Sequence, residues 1–155
     1  MIYLAGDTMV TLANGREKRI DKIQIGEMLL TKKGSIPVWN IISGLEKEIA
    51  EIEFVDGRTL RVAPDQRFMT DRGCRSIQEL CNSELLLLGS EKLEVKAITL
   101  KPYGSAVYGI MLEHEAEITY NGIRMMPLAE DTRDVNEDDI RNLSNHFKEL
   151  ADMFQ

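Results

Sequence analysis

Turn signals recur along the chain as far as Gly122, and between them lie short β-prone runs, some alternating apolar and polar with the period of two expected of half-buried strands. Ile52 and Phe54 alternate with Glu51 and Glu53; after Asp56-Gly57, Leu60 and Val62 alternate with Arg61. Two such runs around a pair that tolerates positive φ predict a β-hairpin. Asn14-Gly15 and Asn121-Gly122 predict further tight turns, and Lys33-Gly34, Arg72-Gly73 and Tyr103-Gly104 read as breaks. Strands are expected over residues 8–12, 28–31, 37–42, 93–100, 107–112 and 117–120. A short polar strand should lead to Ile20, where Asp21 turns the chain. Many short strands with regular turn signals indicate an all-β domain.

The pattern breaks twice. Ser76-Ile77-Gln78-Glu79-Leu80 has Ser at a cap position and Glu three residues on, which predicts one or two helical turns. Beyond Pro127 the character changes: residues 128–135 are polar and acidic, like a linker. Asn136 then caps a predicted helix, with Asp139 near its positive end. Ile140, Leu143, Phe147, Leu150 and Phe154 recur at spacings of three and four, an apolar stripe along one face. The expected organisation is a β domain over 3–127, a linker over 128–135 and an amphipathic C-terminal α-helix over 136–155. The stripe is the expected contact with a protein partner or a second copy, and the contact between chains is favoured over packing on the same chain's β domain.

Composition narrows the function. The formal net charge is -7 with Lys and Arg scattered, so a phosphate backbone is repelled on average and nucleic acid is not an expected partner. No apolar run approaches the ~20 residues of a membrane span; the longest, residues 85–88, is strand-sized. The first seven residues lack a basic region followed by an apolar run, so no signal peptide is expected, and the cytoplasm is the expected location. Cys74 and Cys81 make no disulfide framework and are expected as reduced, mostly buried thiols, Cys81 in the core. Asp134-Val135-Asn136-Glu137-Asp138 lacks the Gly and closing Glu of a calcium loop, and no cofactor or metal is expected.

Three stretches in order resemble one family. Tyr3-Leu4-Ala5-Gly6-Asp7-Thr8, the Asn14-Gly15 turn and Ile20-Asp21-Lys22-Ile23-Gln24-Ile25-Gly26-Glu27 resemble the opening of Hint (hedgehog/intein) domains, particularly bacterial intein-like ones. Leu60-Arg61-Val62-Ala63-Pro64-Asp65-Gln66-Arg67-Phe68-Met69-Thr70, followed by Gly73, Ile77 and Glu79-Leu80, resembles the second conserved stretch. Val107-Tyr108-Gly109-Ile110-Met111-Leu112-Glu113 and Ile118-Thr119-Tyr120-Asn121-Gly122-Ile123 resemble the closing strands. The resemblance implies a compact β domain whose two ends, at Tyr3 and at Met125-Met126, lie close together.

The chemistry the resemblance implies needs a nucleophile to take the acyl group from its own preceding carbonyl. It needs a Thr and a His to hold and protonate the scissile amide, a terminal His-Asn to release the downstream segment and, for splicing, a Cys, Ser or Thr after it. By the same resemblance, Tyr3 stands at the nucleophile, Ala63 at the Thr, Gln66 at the His, and Met126 and Pro127 at the closing pair, with Leu128 next. A phenol at the far edge of a ring cannot close the five-membered ring of an acyl shift. Alanine cannot hydrogen-bond, and glutamine cannot take a proton near neutral pH. His114 lies near the late His of the family, where Ala116 aligns, and reads as a polar residue at a strand end. Asp65 reads as a turn residue, and Cys74, beside Arg72, has no base in sight.

The expected function is therefore a non-catalytic Hint-fold scaffold or interaction module, with no enzymatic activity. The competing readings are an autoprocessing domain whose active-site residues are atypical or experimentally mutated, and a Hint module cut from a larger secreted or toxin-like protein.

Overall fold

The computed structural model describes residues 1–126; Pro127, the expected linker and the expected helix lie outside the described residues. The strands are β1 (Leu4–Ala5), β2 (Met9–Thr11), β3 (Glu17–Arg19), β4 (Met28–Thr31), β5 (Gly34–Phe54), β6 (Thr59–Val62), β7 (Arg67–Thr70), β8 (Gly73–Ser76), β9 (Leu85–Leu87), β10 (Lys92–Leu112), β11 (Ile118–Tyr120) and β12 (Ile123–Met125). They join as one sheet in the order β3-β2-β11-β4-β5-β6-β1-β10-β9-β7-β8, with β12 on β11 and β5 also on β10. Among the described residues the helical element is a 3-10 turn at Ile20–Lys22, where Asp21 was expected to turn the chain. No helix there is long and apolar enough to cross a membrane.

The expected hairpins form. Ile52 faces Leu60 across the β5–β6 turn at Asp56-Gly57, and Met9 faces Arg19 across Asn14-Gly15. At Asn121-Gly122 both residues have positive φ, 50° and 76°. That is the mirror-image turn whose twist matches the paired strands β11 and β12, and it needs residues that tolerate the left-handed region. Alternation then buries one side: Ala50, Ile52 and Phe54 on β5 meet Leu60 and Val62 on β6, all at 0% exposure.

Several elements differ from expectation. The strand expected at 37–42 is part of the 21-residue β5, and those expected at 93–100 and 107–112 are one 21-residue strand, β10. Tyr103-Gly104 does not end β10; it bends it, through a register shift between Pro102 and Ser105 in the pairing with β5. Residues 76–80 form a single turn after β8. Glu79 and Leu80 donate to the Ser76 carbonyl at 3.0 and 3.1 Å, and the Glu79 carboxylate accepts the Ser76 N–H at 3.1 Å. The capping interaction is present, but the chain leaves it before a helix can propagate. Cys81 is exposed rather than core, and Cys74 is half-buried; both are free thiols. The turn at residues 76–80 and the Glu84 carboxylate, which takes the Cys81 N–H, fix Cys81 at a solvent-facing corner.

The fold repeats itself. Gly26 N–H donates to the Val38 carbonyl and Val38 N–H to Glu27, at 2.8 and 2.9 Å; Ser83 donates to Val95 and Val95 to Glu84, both at 2.9 Å. Equivalent residues are 57 apart (Gly26 and Ser83, Val38 and Val95). The same spacing relates the Leu29–Ile36 pair to the Leu86–Leu93 pair. It also relates the Glu27 carboxylate, on the Gln24 N–H, to that of Glu84, on the Cys81 N–H. One unit is therefore β2 to β5 and the other β7 to β10. Their long strands, β5 and β10, pair with each other along most of their length.

Candidate functional site

The first strand runs through the middle of the molecule. Leu4 pairs with Val62 on β6 and with Tyr108 on β10, and Ala5 pairs with Val107. Two apolar residues with no periodicity of their own become a strand because slots on both sides accept them; both are fully buried. Just upstream, the Tyr3 carbonyl accepts the Ala63 N–H at 3.0 Å. The Tyr3 N–H donates to the Gln66 side-chain oxygen at 3.0 Å, and the Gln66 Nε2 donates to the carbonyls of Met1 and Arg67, both at 3.2 Å. Because an N–H can only donate and a carbonyl only accept, this network fixes which end of the Gln66 amide is which. Gln66 is 5% exposed and its own N–H is held by the Ala63 carbonyl, so the bracket is rigid on its own side.

The other positions singled out from sequence gather here. Ala63 is buried in a small cluster with Ala5, Ile49 and Val107, against which Tyr3 and Tyr103 pack. Asp65 is exposed and borders, with Tyr3, an open groove of about 220 Å³ that also touches Ile42 and Ala63. Burial raises the Tyr3 phenol pKa, and the nearby Asp65 charge raises it further, so the phenol is protonated at neutral pH. On the inner side Ile2, Gln66, Phe68, Leu88, Met125 and Met126 line a cavity of about 20 Å³, room for about one water. Met126 is anchored by its N–H on the Leu88 carbonyl at 3.1 Å. The upstream end and the Met125-Met126 end therefore meet, as the resemblance implies.

No protein-family model matches the sequence, and no curated protein sequence matches it. Solved structures do. The gp41-1 intein superposes with a TM-score of 0.65 at 21% identity, over 81% of this chain and 98% of that one. A DnaB intein from Synechocystis sp. PCC 6803 gives 0.64 at 18% identity, over 83% and 100%. The Ssp DnaB mini-intein variant M86 gives 0.66 at 17%, over 84% and 97%. The chain has the Hint fold of inteins. In this Hint-fold domain Ala63 and Gln66 bond the backbone of Tyr3, and Met126 shares the small cavity with Ile2 and Gln66.

The remaining candidates are not brought to that stretch. His114 is exposed between β10 and β11, and none of the described hydrogen bonds ties it to Tyr3 or Gln66. Cys74 lies on β8 opposite Met69. Among the described residues no group of three or more His, Cys, Asp and Glu is placed to hold a metal. Three features escaped the sequence reading. Tyr103 holds the strand end, its hydroxyl accepting the Gly6 N–H at 3.1 Å and donating to the Ala106 carbonyl at 2.7 Å. Glu117, 7% exposed, accepts the backbone N–H and the hydroxyl of Ser90, the latter at 2.7 Å. Burial opposes its ionisation, but these two donors, with Lys32 and Arg124 nearby, hold its carboxyl below the usual range. The Tyr120 hydroxyl is buried with no hydrogen-bond partner among the described residues. A signal existed for Glu117, an acid between apolar neighbours in a strand run, but none pointed to Ser90.

Proposed function

We propose that this Hint domain performs no peptide-bond chemistry and serves as a scaffold or protein-interaction module. The observation that carries the proposal is the bond from the Tyr3 N–H to Gln66. Cleaving the peptide before Tyr3 requires a proton for its nitrogen as the carbonyl is attacked. The group on that nitrogen here is a neutral carbonyl oxygen, which accepts and has no proton to give. Ala63 offers the amide no polar atom, and the Tyr3 oxygen sits at the far end of a rigid ring. The stripe of Ile140, Leu143, Phe147, Leu150 and Phe154 is assigned the part of a contact element.

The test is a fusion with a protein at each end, incubated with thiol or hydroxylamine and followed by intact mass. The expected mass is that of the uncut fusion. Release of a fragment ending just before Tyr3 overturns the proposal.

A further inference from the structure

One face of the β4–β5 hairpin is apolar and open. Leu29, Thr31, Ile36 and Val38 point into the core, so Met28, Leu30, Pro37 and Trp39 take the other side. Met28, Leu30 and Trp39 are 44%, 41% and 57% exposed. Ile25, 65% exposed, precedes Gly26, whose N–H bonds the Val38 carbonyl next to Trp39. The chain's one tryptophan thus shares a face with two other exposed apolar side chains, and clustered exposed apolar residues mark interaction surfaces.

We propose that residues 136–154 of the same chain cover this face, the stripe of Ile140, Leu143, Phe147, Leu150 and Phe154 lying across Met28, Leu30 and Trp39. Reach permits it. Ile118 pairs with both Met125 and Thr31, which puts the last described strand about two strand spacings, or ~10 Å, from the end of β4. Nine residues, 127–135, span up to ~30 Å. A helical stripe from 140 to 154 measures ~21 Å, the same order as the ~15–20 Å from Leu30 to Ile25 along the strands. Charge gives the contact a direction. Residues 127–155 hold eight acidic and three basic side chains, with Glu137, Asp138 and Asp139 ahead of the stripe. Lys32 and Lys33 stand at one end of the face, in the turn between β4 and β5. The acidic start belongs at that turn, with Phe154 towards Ile25. This inference rests on the stripe being a contact element and not on the loss of cleavage chemistry, which the fusion assay tests separately.

The experiment uses the full chain and its Leu143→Glu/Phe147→Glu variant, with acrylamide quenching of Trp39 emission and mass by light scattering over a range of concentrations. The expected wild type is a monomer whose Trp39 is quenched several-fold less than in the variant, at every concentration. A second variant, Met28→Glu/Leu30→Glu, changes only exposed positions; it should unmask Trp39 with the tail sequence intact and the β-sheet circular dichroism unchanged. Equal quenching in wild type and tail variant overturns the proposal. So does shielding that disappears on dilution together with a dimer mass, which assigns the face to a second copy. Wild-type Trp39 that is shielded only after another protein is added assigns it to that partner and overturns it equally.

Discussion

Replacing Gln66 tests the bracket around Tyr3 directly. Gln66→Ala removes three hydrogen bonds, from Tyr3 and to Met1 and Arg67. Each contributes ~1 kcal/mol net, and a buried donor left unpaired costs a further ~1–3 kcal/mol. The adjoining cavity of about 20 Å³ would enlarge and could admit a water to the Tyr3 N–H, which trims the loss. The expected cost is ~2–4 kcal/mol, a large share of the ~5–15 kcal/mol that holds a domain together. Gln66→Glu is the sharper probe because the shape is kept. Its carboxylate can still accept from Tyr3 but faces the Met1 and Arg67 carbonyls, to which only the protonated acid can donate. Its folded-state pKa should therefore be raised above the unfolded value. The stability of this variant should be fully present below the unfolded carboxylate pKa and fall as pH rises through the folded one. Urea unfolding of the three proteins between pH 4 and 8, with amide exchange at Tyr3, measures both effects. A Gln66→Ala cost below ~1 kcal/mol, with Tyr3 exchange unchanged, would show that the bracket does not hold the strand.

Three further outcomes follow from single contacts. Tyr120→Phe should be neutral or stabilising by up to ~1 kcal/mol in urea midpoints, since it removes a buried hydroxyl that has no partner among the described residues; a clear loss would reveal one. Gly89 has φ 111° and a Cβ there would meet the Glu117 carboxylate, so Gly89→Ala should cost more than ~1 kcal/mol by thermal unfolding. Glu117, with its carboxyl held below the usual range, contributes stability above the ordinary carboxylate pKa that is lost as pH falls through the lowered one. Glu117→Gln should accordingly flatten the acid limb of the stability profile, and an unchanged limb would remove Glu117 from the account.

The hairpins were legible in the sequence because a turn pair and an alternating run report the same local geometry. Ile52, Phe54, Leu60 and Val62 needed no distant partner to be read. β1 was not legible as a strand, since Leu4 and Ala5 are extended only by virtue of Val62 and Tyr108. The lengths of β5 and β10 were hidden for the opposite reason. Where only these two strands pair, around residues 43–48 and 101–106, both are largely exposed, and their polar sequence carries no alternation to read. The family resemblance pointed to Tyr3, Ala63, Gln66 and Met126 as one site. What Gln66 does there required coordinates, because a glutamine can face an amide with either end. The 57-residue repeat left a faint trace in Ile20-Asp21-Lys22-Ile23 and Ile77-Gln78-Glu79-Leu80, too short to separate from chance.

The central position of the first strand has a consequence for how the chain is made. Gly6 waits for a tyrosine 97 residues downstream, and Met9 for an asparagine 112 residues downstream. At ribosomal speeds of ~5–20 residues per second, Leu4 and Ala5 stay uncovered for roughly 5–20 s before their closing strand exists. Once the chain is complete, such distant pairings favour folding in milliseconds to seconds rather than microseconds. The nascent segment is therefore a natural client for a chaperone, and a stop codon anywhere before β10 leaves a product in which Leu4 and Ala5 lack one of their two flanking strands.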